Sequence, residues 1–122
     1  MSECELLCLD LSRAEGARAA LPSLDDLESV AAKARALSDP TRLAIAIALR
    51  DCGPACGCDV AWIVGRPDKL VSHHLRTLKS AGAATSRRDG KLVLYELTPE
   101  CRVLLDTLTV APVGDPAAVP AP

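Results

Sequence analysis

The stretch from residue 58 to residue 97 is punctuated in a way that few folds can satisfy. A short apolar run, Cys58-Asp-Val-Ala-Trp-Ile-Val, is cut by Gly65-Arg66-Pro67, and a longer amphipathic run over residues 68–81 ends at Gly82. Proline fixes φ and removes a backbone donor while glycine opens the left-handed region, so the break reads as a tight turn between two helices. Beyond it, residues 84–88 and 91–97 read as two extended segments. Asp89-Gly90 joins them, a dipeptide that tolerates the positive φ of a type I′ turn. Short helix, turn, longer helix and hairpin together make a helix-turn-helix followed by a wing. The expected fold is mostly α with a β-hairpin wing.

The chain before this stretch supplies the packing partners. A helix-prone segment covers residues 12–20. Ser23-Leu-Asp-Asp-Leu-Glu then reads as a helix start, with Ser23 as cap, acids at the positive end of the dipole, and Leu24, Leu27, Val30, Ala31, Ala34 and Leu37 as an apolar stripe. Asp39-Pro40-Thr41 opens another helix, Asp39 capping and Pro40 standing where its missing N–H costs little. Leu43, Ile45, Ala46, Ile47 and Leu49 make this helix apolar nearly all round, the mark of a central core helix, and Gly53-Pro54 stops it. Thr98-Pro99-Glu100 opens a last helix whose Val103, Leu104, Leu105 and Leu108 require a partner surface, most simply a second copy of the chain. With one Trp, one Tyr and no Phe, the core must be built from Ala, Leu, Val and Ile, which suits closely packed helices. The chain is expected to divide into an amino-terminal arm (1–22), one DNA-binding and dimerisation domain (23–110), and a disordered Pro/Ala-rich tail (111–122) that holds four of the nine prolines.

Charge is distributed along the chain in favour of nucleic acid. The net charge is −2, yet residues 66–91 carry seven basic side chains against Asp68 and Asp89, a local excess of +5. A basic face, not the total, is what meets phosphates. In the second helix of a helix-turn-helix, Leu70, Val71, His74, Leu75 and Leu78 can face the core, with His74 a packing histidine. Lys69, Ser72, His73 and Arg76 then project toward the major groove, Arg76 being able to grip guanine in bidentate fashion. Arg87, Arg88 and Lys91 flank the hairpin tip and are placed to contact backbone or minor groove. The expected partner is operator double-stranded DNA. No segment has the apolar length of a membrane span, and the acidic start (Glu3, Glu5, Asp10) is unlike a signal peptide, so a cytoplasmic location is expected.

Six cysteines in a reducing compartment argue for metal binding or redox sensing, not disulfides. Cys56 and Cys58 flank Gly57 at the entry to the first helix of the motif. On a regular helix their sulfurs would diverge by roughly 200°. Gly57 can let the chain turn there so that both face one ion, and the helix amino terminus favours the thiolate. Cys4 and Cys8, at i and i+4, can chelate from a helix or from a flexible arm. Together they make a four-thiolate set suited to Cd2+, Pb2+ or Zn2+. Cys52 is an alternative ligand, and Cys52, Cys56 and Cys58 would make a three-thiolate site suited to arsenite; Cys101 reads as structural.

Three segments carry a resemblance to a known family. Asp39-Pro-Thr-Arg-Leu, Ser72-His-His-Leu-Arg-Thr-Leu and Asp89-Gly-Lys-Leu-Val-Leu-Tyr-Glu-Leu resemble core motifs of the ArsR/SmtB family of winged-helix metal-sensing repressors. Cys56-Gly-Cys58-Asp is similar to the Cys-x-Cys-Asp motif of its arsenic- and cadmium/lead-sensing branches, and the addition of Cys4 and Cys8 makes the chain most similar to the CadC-like branch. The resemblance implies a homodimer, formed through its first and last helices, that binds operator DNA without metal and releases it on metal binding. It also implies a site shared across the dimer. The last helix lacks the Asp-x-His and His-x-x-Glu ligands of zinc-sensing members; its only acids are Glu100 and Asp106. A thiol-redox repressor is the competing reading. An enzyme is disfavoured, because Cys-Gly-Cys is not Cys-x-x-Cys and no anion loop or Ser/His/Asp arrangement accompanies it.

Overall fold

The computed structural model describes residue 8 and residues 10–109. The expectations for Cys4 and for the 111–122 tail therefore lie outside the described residues.

Four of the six helices among the described residues begin where a side chain satisfies one of their first donors; α4 and α5 start at Cys56 and Pro67 with no side-chain cap. In α1 (Leu11–Ala20), Asp10 Oδ1 accepts from Ser12 N at 3.3 Å. In α2 (Leu24–Ala36), Ser23 Oγ accepts from Asp26 N at 3.1 Å, and in α3 (Pro40–Cys52) Asp39 Oδ2 accepts from Arg42 N at 3.0 Å. Backbone hydrogen bonding to Arg42 is also the main reason the Asp39 carboxyl titrates below its ordinary range. Gly53, at φ 80°, ends α3. Then come β1 (Ala55–Cys56), α4 (Gly57–Val64), the left-handed Gly65, and α5 (Asp68–Ser80). The hairpin β2 (Ala84–Asp89) and β3 (Leu92–Leu97) leads into α6 (Pro99–Leu108), capped by Thr98 Oγ1 on Cys101 N at 3.3 Å.

The core forms where α3, α4, α5 and α6 meet the sheet. Ile45 and Leu49 from α3, Val60 from α4, Val71, Leu75 and Leu78 from α5, and Cys101 and Leu105 from α6 are almost completely buried. On α5 the buried residues are Val71, His74, Leu75 and Leu78, a stripe at i, i+3, i+4 and i+7. Leu70, expected in the core, is exposed: it lies one residue off that stripe, about 100° round the helix.

The sheet has three strands in the order β1-β3-β2, all antiparallel, not the two expected. Ala55 and Cys56 pair with Tyr95 and Leu94, and a two-residue strand has no periodicity for a sequence to display. The hairpin turn also differs. Asp89 pairs with Leu92, leaving Gly90-Lys91 as the loop, and Gly90 alone has positive φ, at 65°. A glycine at the first loop position is the pattern of a II′ turn, not I′.

Apolar surface remains uncovered at both ends of the chain. None of α1 is buried; along α2, Leu24, Leu27 and Val30 are exposed, and only Ala36 and the capping Leu37 reach the core. On α6, Leu105 faces inward while Val103 and Leu108 face out. No helix among the described residues is long and apolar enough to cross a membrane.

Leu75→Ala should lower the unfolding free energy by about 3 kcal/mol, the cost of a cavity in a close-packed core. Trp62→Ala, at a side chain 84% exposed, should change it by less than about 0.5 kcal/mol. Urea denaturation followed by far-ultraviolet circular dichroism checks both.

Candidate metal centre and nucleic-acid interface

The thiol pair stands at a junction of three elements. Cys56 ends β1 and is the N-cap of α4, with φ −81° and ψ 162°; Cys58 sits in the first turn. Cys56 has an extended backbone, not a glycine-only conformation, and its thiol interacts with that of Cys58. Gly57 has no positive φ, and a Cβ there would meet Leu75 Cδ1 and Ser72 Oγ at ordinary distances of 3.7 and 3.8 Å. Cys56 is half-buried and Cys58 exposed, with Cys58 Sγ 4.0 Å from Asp68 Oδ2 at the start of α5. Asp68 is the largest cause, and Cys56 the next, of a Cys58 thiol pKa raised above its ordinary value. This reverses the expectation from the helix dipole alone: carboxylates at close range outweigh the partial charge of a two-turn helix.

The remaining described cysteines are Cys8, Cys52 and Cys101. Cys52, at the end of α3, lines a groove of about 350 Å3 with Pro54, Ala55, Asp59, Trp62 and Ile63. Cys8 is exposed, and Cys101 is buried in the core, where burial pushes its thiol up. Among the described residues, no three His, Cys, Asp or Glu side chains form a metal-holding group. Cys56 and Cys58 are two soft donors, one half-buried and one exposed, of the type a thiophilic ion takes.

The candidate DNA-facing residues divide by position. On α5, Lys69, His73 and Arg76 are exposed, whereas Ser72 is half-buried, close to Gly57. Between α5 and the wing lies an open cleft of about 550 Å3 lined by Arg76, Lys79, Ser80, Ser86, Arg87, Arg88, Val93 and Tyr95. Four cations against no carboxylate make this a strongly electropositive trough. Lys79 and Ser86 were not among the expected contact residues, yet Lys79 Nζ donates to Ser86 Oγ at 2.7 Å and ties the helix to the wing. The signal for Lys79 lay in its spacing, three residues beyond Arg76 on the same face. Arg87 also approaches Glu96 at 3.8 Å, an exposed pair of small energetic weight. Lys91, in the hairpin loop, is exposed.

The wing and the thiol pair share one sheet row. Cys56 and Arg87 both pair with Leu94, one from each side of β3. Paired residues in antiparallel strands point to the same face, so Cys56 and Arg87 lie on one side of the sheet, about 10 Å apart.

Comparison with known proteins agrees with this geometry. Residues 39–86 match the bacterial regulatory protein, arsR family. A cadmium resistance transcriptional regulatory protein CadC homolog from Staphylococcus aureus is 40% identical over 97 residues, covering 80% of this chain and 79% of that protein. The HTH-type transcriptional repressor SmtB of Mycobacterium tuberculosis is 36% identical over 92 residues, covering 74% of this chain and 67% of that one. Among solved structures, a homodimeric winged helix-turn-helix DNA-binding domain from Mycobacterium bovis superposes with a TM-score of 0.64 at 25% identity, over 83% of this chain and 94% of its own.

Replacing Asp68 with Asn should move the pH profile for alkylation of Cys58 to lower pH, because the carboxylate that opposes thiolate formation is gone. Iodoacetamide labelling with peptide mass spectrometry reads this directly; an unmoved profile would mean that Asp68 does not set the thiol. In the same experiment Cys101 should label only after denaturation.

Proposed function

This chain belongs to the ArsR family of bacterial regulatory proteins, and from that premise we propose that it is a metal-responsive transcriptional repressor, whose homodimer holds operator DNA without metal and releases it when a thiophilic ion binds. Such regulators act by binding DNA, not as enzymes. The observation that carries the reading is the position of Cys56 and Cys58: one sulfur is seated on the sheet that bears the wing, the other is 4.0 Å from the first residue of α5.

DNA binding is assigned to Lys69, Ser72, His73 and Arg76 on the recognition helix α5, and to Arg87, Arg88 and Lys91 on the wing. Arg76 is placed to read a base edge and the wing cations to hold phosphates. The domain over residues 23–110 dimerises through its leading and last helices, covering the apolar residues that α2 and α6 leave exposed.

The ion is held by Cys56 and Cys58 together with Cys4 and Cys8 of the amino-terminal arm, a four-thiolate set that would supply soft coordination for Cd2+ or Pb2+, and for Zn2+. Names among the relatives support cadmium: the Staphylococcus aureus protein is a cadmium resistance regulator. Ligation would require both thiols as thiolates, which would end the contact in which Cys58 donates to Asp68 and leave that carboxylate facing a metal-bound sulfur at the start of α5. It would also constrain Cys56, which pairs with Leu94, the residue that Arg87 pairs with from the other side of β3. Metal and DNA then favour different arrangements of the same two elements, which is what reciprocal coupling between sites requires.

Three tests address the reading, the first and last using a duplex that the wild-type protein selects from a random-sequence library. Cys56→Ser and Cys58→Ser should bind this duplex within about threefold of wild type yet fail to release it on adding cadmium. Metal-driven release in both variants would remove the pair from the site. In an anaerobic cadmium titration, a Cys4/Cys8 double serine variant should lose part of the thiolate-to-metal absorption. Unchanged absorption would shift the site to Cys52, Cys56 and Cys58 and favour arsenite, and release by oxidation alone would favour redox sensing. Arg76→Ala should weaken duplex binding by about ten- to a hundredfold and leave cadmium affinity unaltered.

A further inference from the structure

The recognition helix is held from behind by a polar contact that neither the thiol pair nor the DNA-facing cations account for. His74 lies on the buried stripe of α5, only 9% exposed, one residue after His73 and two before Arg76. Its Nδ1 is 3.3 Å from Arg42 Nη1. A guanidinium can only donate, so Nδ1 must hold a lone pair and the neutral ring carries its proton on Nε2. Arg42 is itself fixed on two further sides: its Nε donates to Ala36 O at 2.7 Å, and its backbone N–H donates to Asp39 Oδ2 at 3.0 Å. One side chain thus joins the last turn of α2, the first turn of α3 and the middle of α5.

We propose that Arg42 and His74 are a positioning pair that fixes α5 for DNA binding, and that protonation of His74 undoes it, making DNA binding acid-sensitive. The inference rests on the DNA-binding reading above. Protonation turns Nδ1 into a donor facing another donor, so the contact becomes a repulsion between two cations. The surroundings set the direction. Burial lowers the His74 pKa most, Asp39 raises it, and Arg42 and exposed His73, whose ring centroid is 5.5 Å away, lower it further. Of the charges on other packed elements, Arg35 of α2 lines the cleft beside Arg42 and Thr77, Asp59 of α4 lines the Trp62 groove, and Arg87 and Arg88 of β2 line the basic trough.

The linkage follows from the lowered value. As pH falls below about 6.5, an unfolded or undocked His74 takes up a proton before the docked one does. The docked state is therefore at full strength above that pH and loses stability as pH drops toward the lower native pKa. His73 is exposed on the face that the reading assigns to DNA, so its own contribution to affinity is distinct from that of His74. The two histidines must be separated by substitution.

The test measures affinity for the duplex selected by wild type, using a label insensitive to pH, from about pH 7.5 to about pH 5.5, on either side of the ordinary imidazole value. Wild type should lose affinity over this range, by up to about tenfold, the most that one proton taken up across it can supply. His74→Asn offers a carbonyl acceptor that does not titrate, so it should match wild type at the upper pH and lose less than about threefold. His74→Leu should be about tenfold weaker already at the upper pH, with little further change. Circular dichroism of each variant shows whether it is folded; should His74→Leu fail to fold, Arg42→Lys, which keeps the charge but loses the planar bridge, should be weakened about fivefold at the upper pH. A His74→Asn variant as acid-sensitive as wild type, or folded His74→Leu and Arg42→Lys variants that bind like wild type, would overturn the proposal. If wild type selects no duplex at all, the DNA-binding reading fails, and the pair's role falls with it.

Discussion

Burial of a single stripe of α5 is the constraint from which the rest of the molecule follows. Val71, His74, Leu75 and Leu78 occupy one face of a helix whose opposite face carries Lys69, His73, Arg76 and Lys79. Because side chains on a helix cannot be turned independently, seating the stripe on α3 and α4 fixes where the cations point. The same seating sets the position of Asp68 at the helix start, and hence its approach to Cys58. It also brings Lys79 to Ser86, so that the wing joins the helix as one cationic surface. Core packing and the shape of the charged face are, in this fold, one interaction seen from two sides.

What the stripe leaves over is informative in its own right. A chain with almost no aromatic residues builds its core from small and aliphatic side chains, and a single copy spends few of those from α2 and α6 on itself. Leu24, Leu27 and Val30 stand on one exposed helix, and Val103 and Leu108 on another. A periodic apolar stripe on a helix that buries little of it is a surface awaiting a partner, and the proposed homodimer is the arrangement in which these residues gain one. The α6 end is tied back to α3 through Arg50, which donates to Asp106 Oδ1 at 3.0 Å and Thr109 Oγ1 at 3.1 Å; Asp51 and Asp106 both hold the Arg50 guanidinium in its charged form. A change at the end of α3, next to Cys52 and the thiol turn, therefore has a polar connection to the helix proposed to form the dimer contact.

How far the sequence could be read depended on whether a feature was local. Caps at Ser23, Asp39 and Thr98, breaks at Gly53 and Gly65, and the period of α5 are encoded within a few residues, and the structure places them as read except for Leu70, which falls outside the buried stripe. The third strand is not encoded in that way, since pairing Ala55-Cys56 with Tyr95-Leu94 joins residues some forty positions apart through backbone groups alone. The α4 entry was legible as a thiol pair but not in its electrostatics: Asp68 is ten residues from Cys58 in sequence and meets it only because the helix-turn-helix folds back on itself. The Arg42 to His74 contact was hidden for the same reason. A buried histidine could be expected from its place on the stripe, whereas its partner, thirty-two residues earlier, could not.

These long-range contacts are also the ones through which a metal signal would travel on the proposed reading. An ion held by Cys56 and Cys58 acts where two mechanical paths start. One runs along the sheet row from Cys56 through Leu94 to Arg87, through backbone hydrogen bonds that transmit displacement with little slack. The other runs from Cys58 to Asp68 and acts on the end of α5, electrostatically and without any rigid connection. The first path would move the wing, and the second would tilt the recognition helix about its buried stripe. The hydrogen bond from Lys79 to Ser86 spans the helix and the wing and so links the two displacements. A site built at this junction needs only a small shift to spoil the match between two cationic surfaces and the phosphates they hold, since several charge contacts weaken together when their common frame moves.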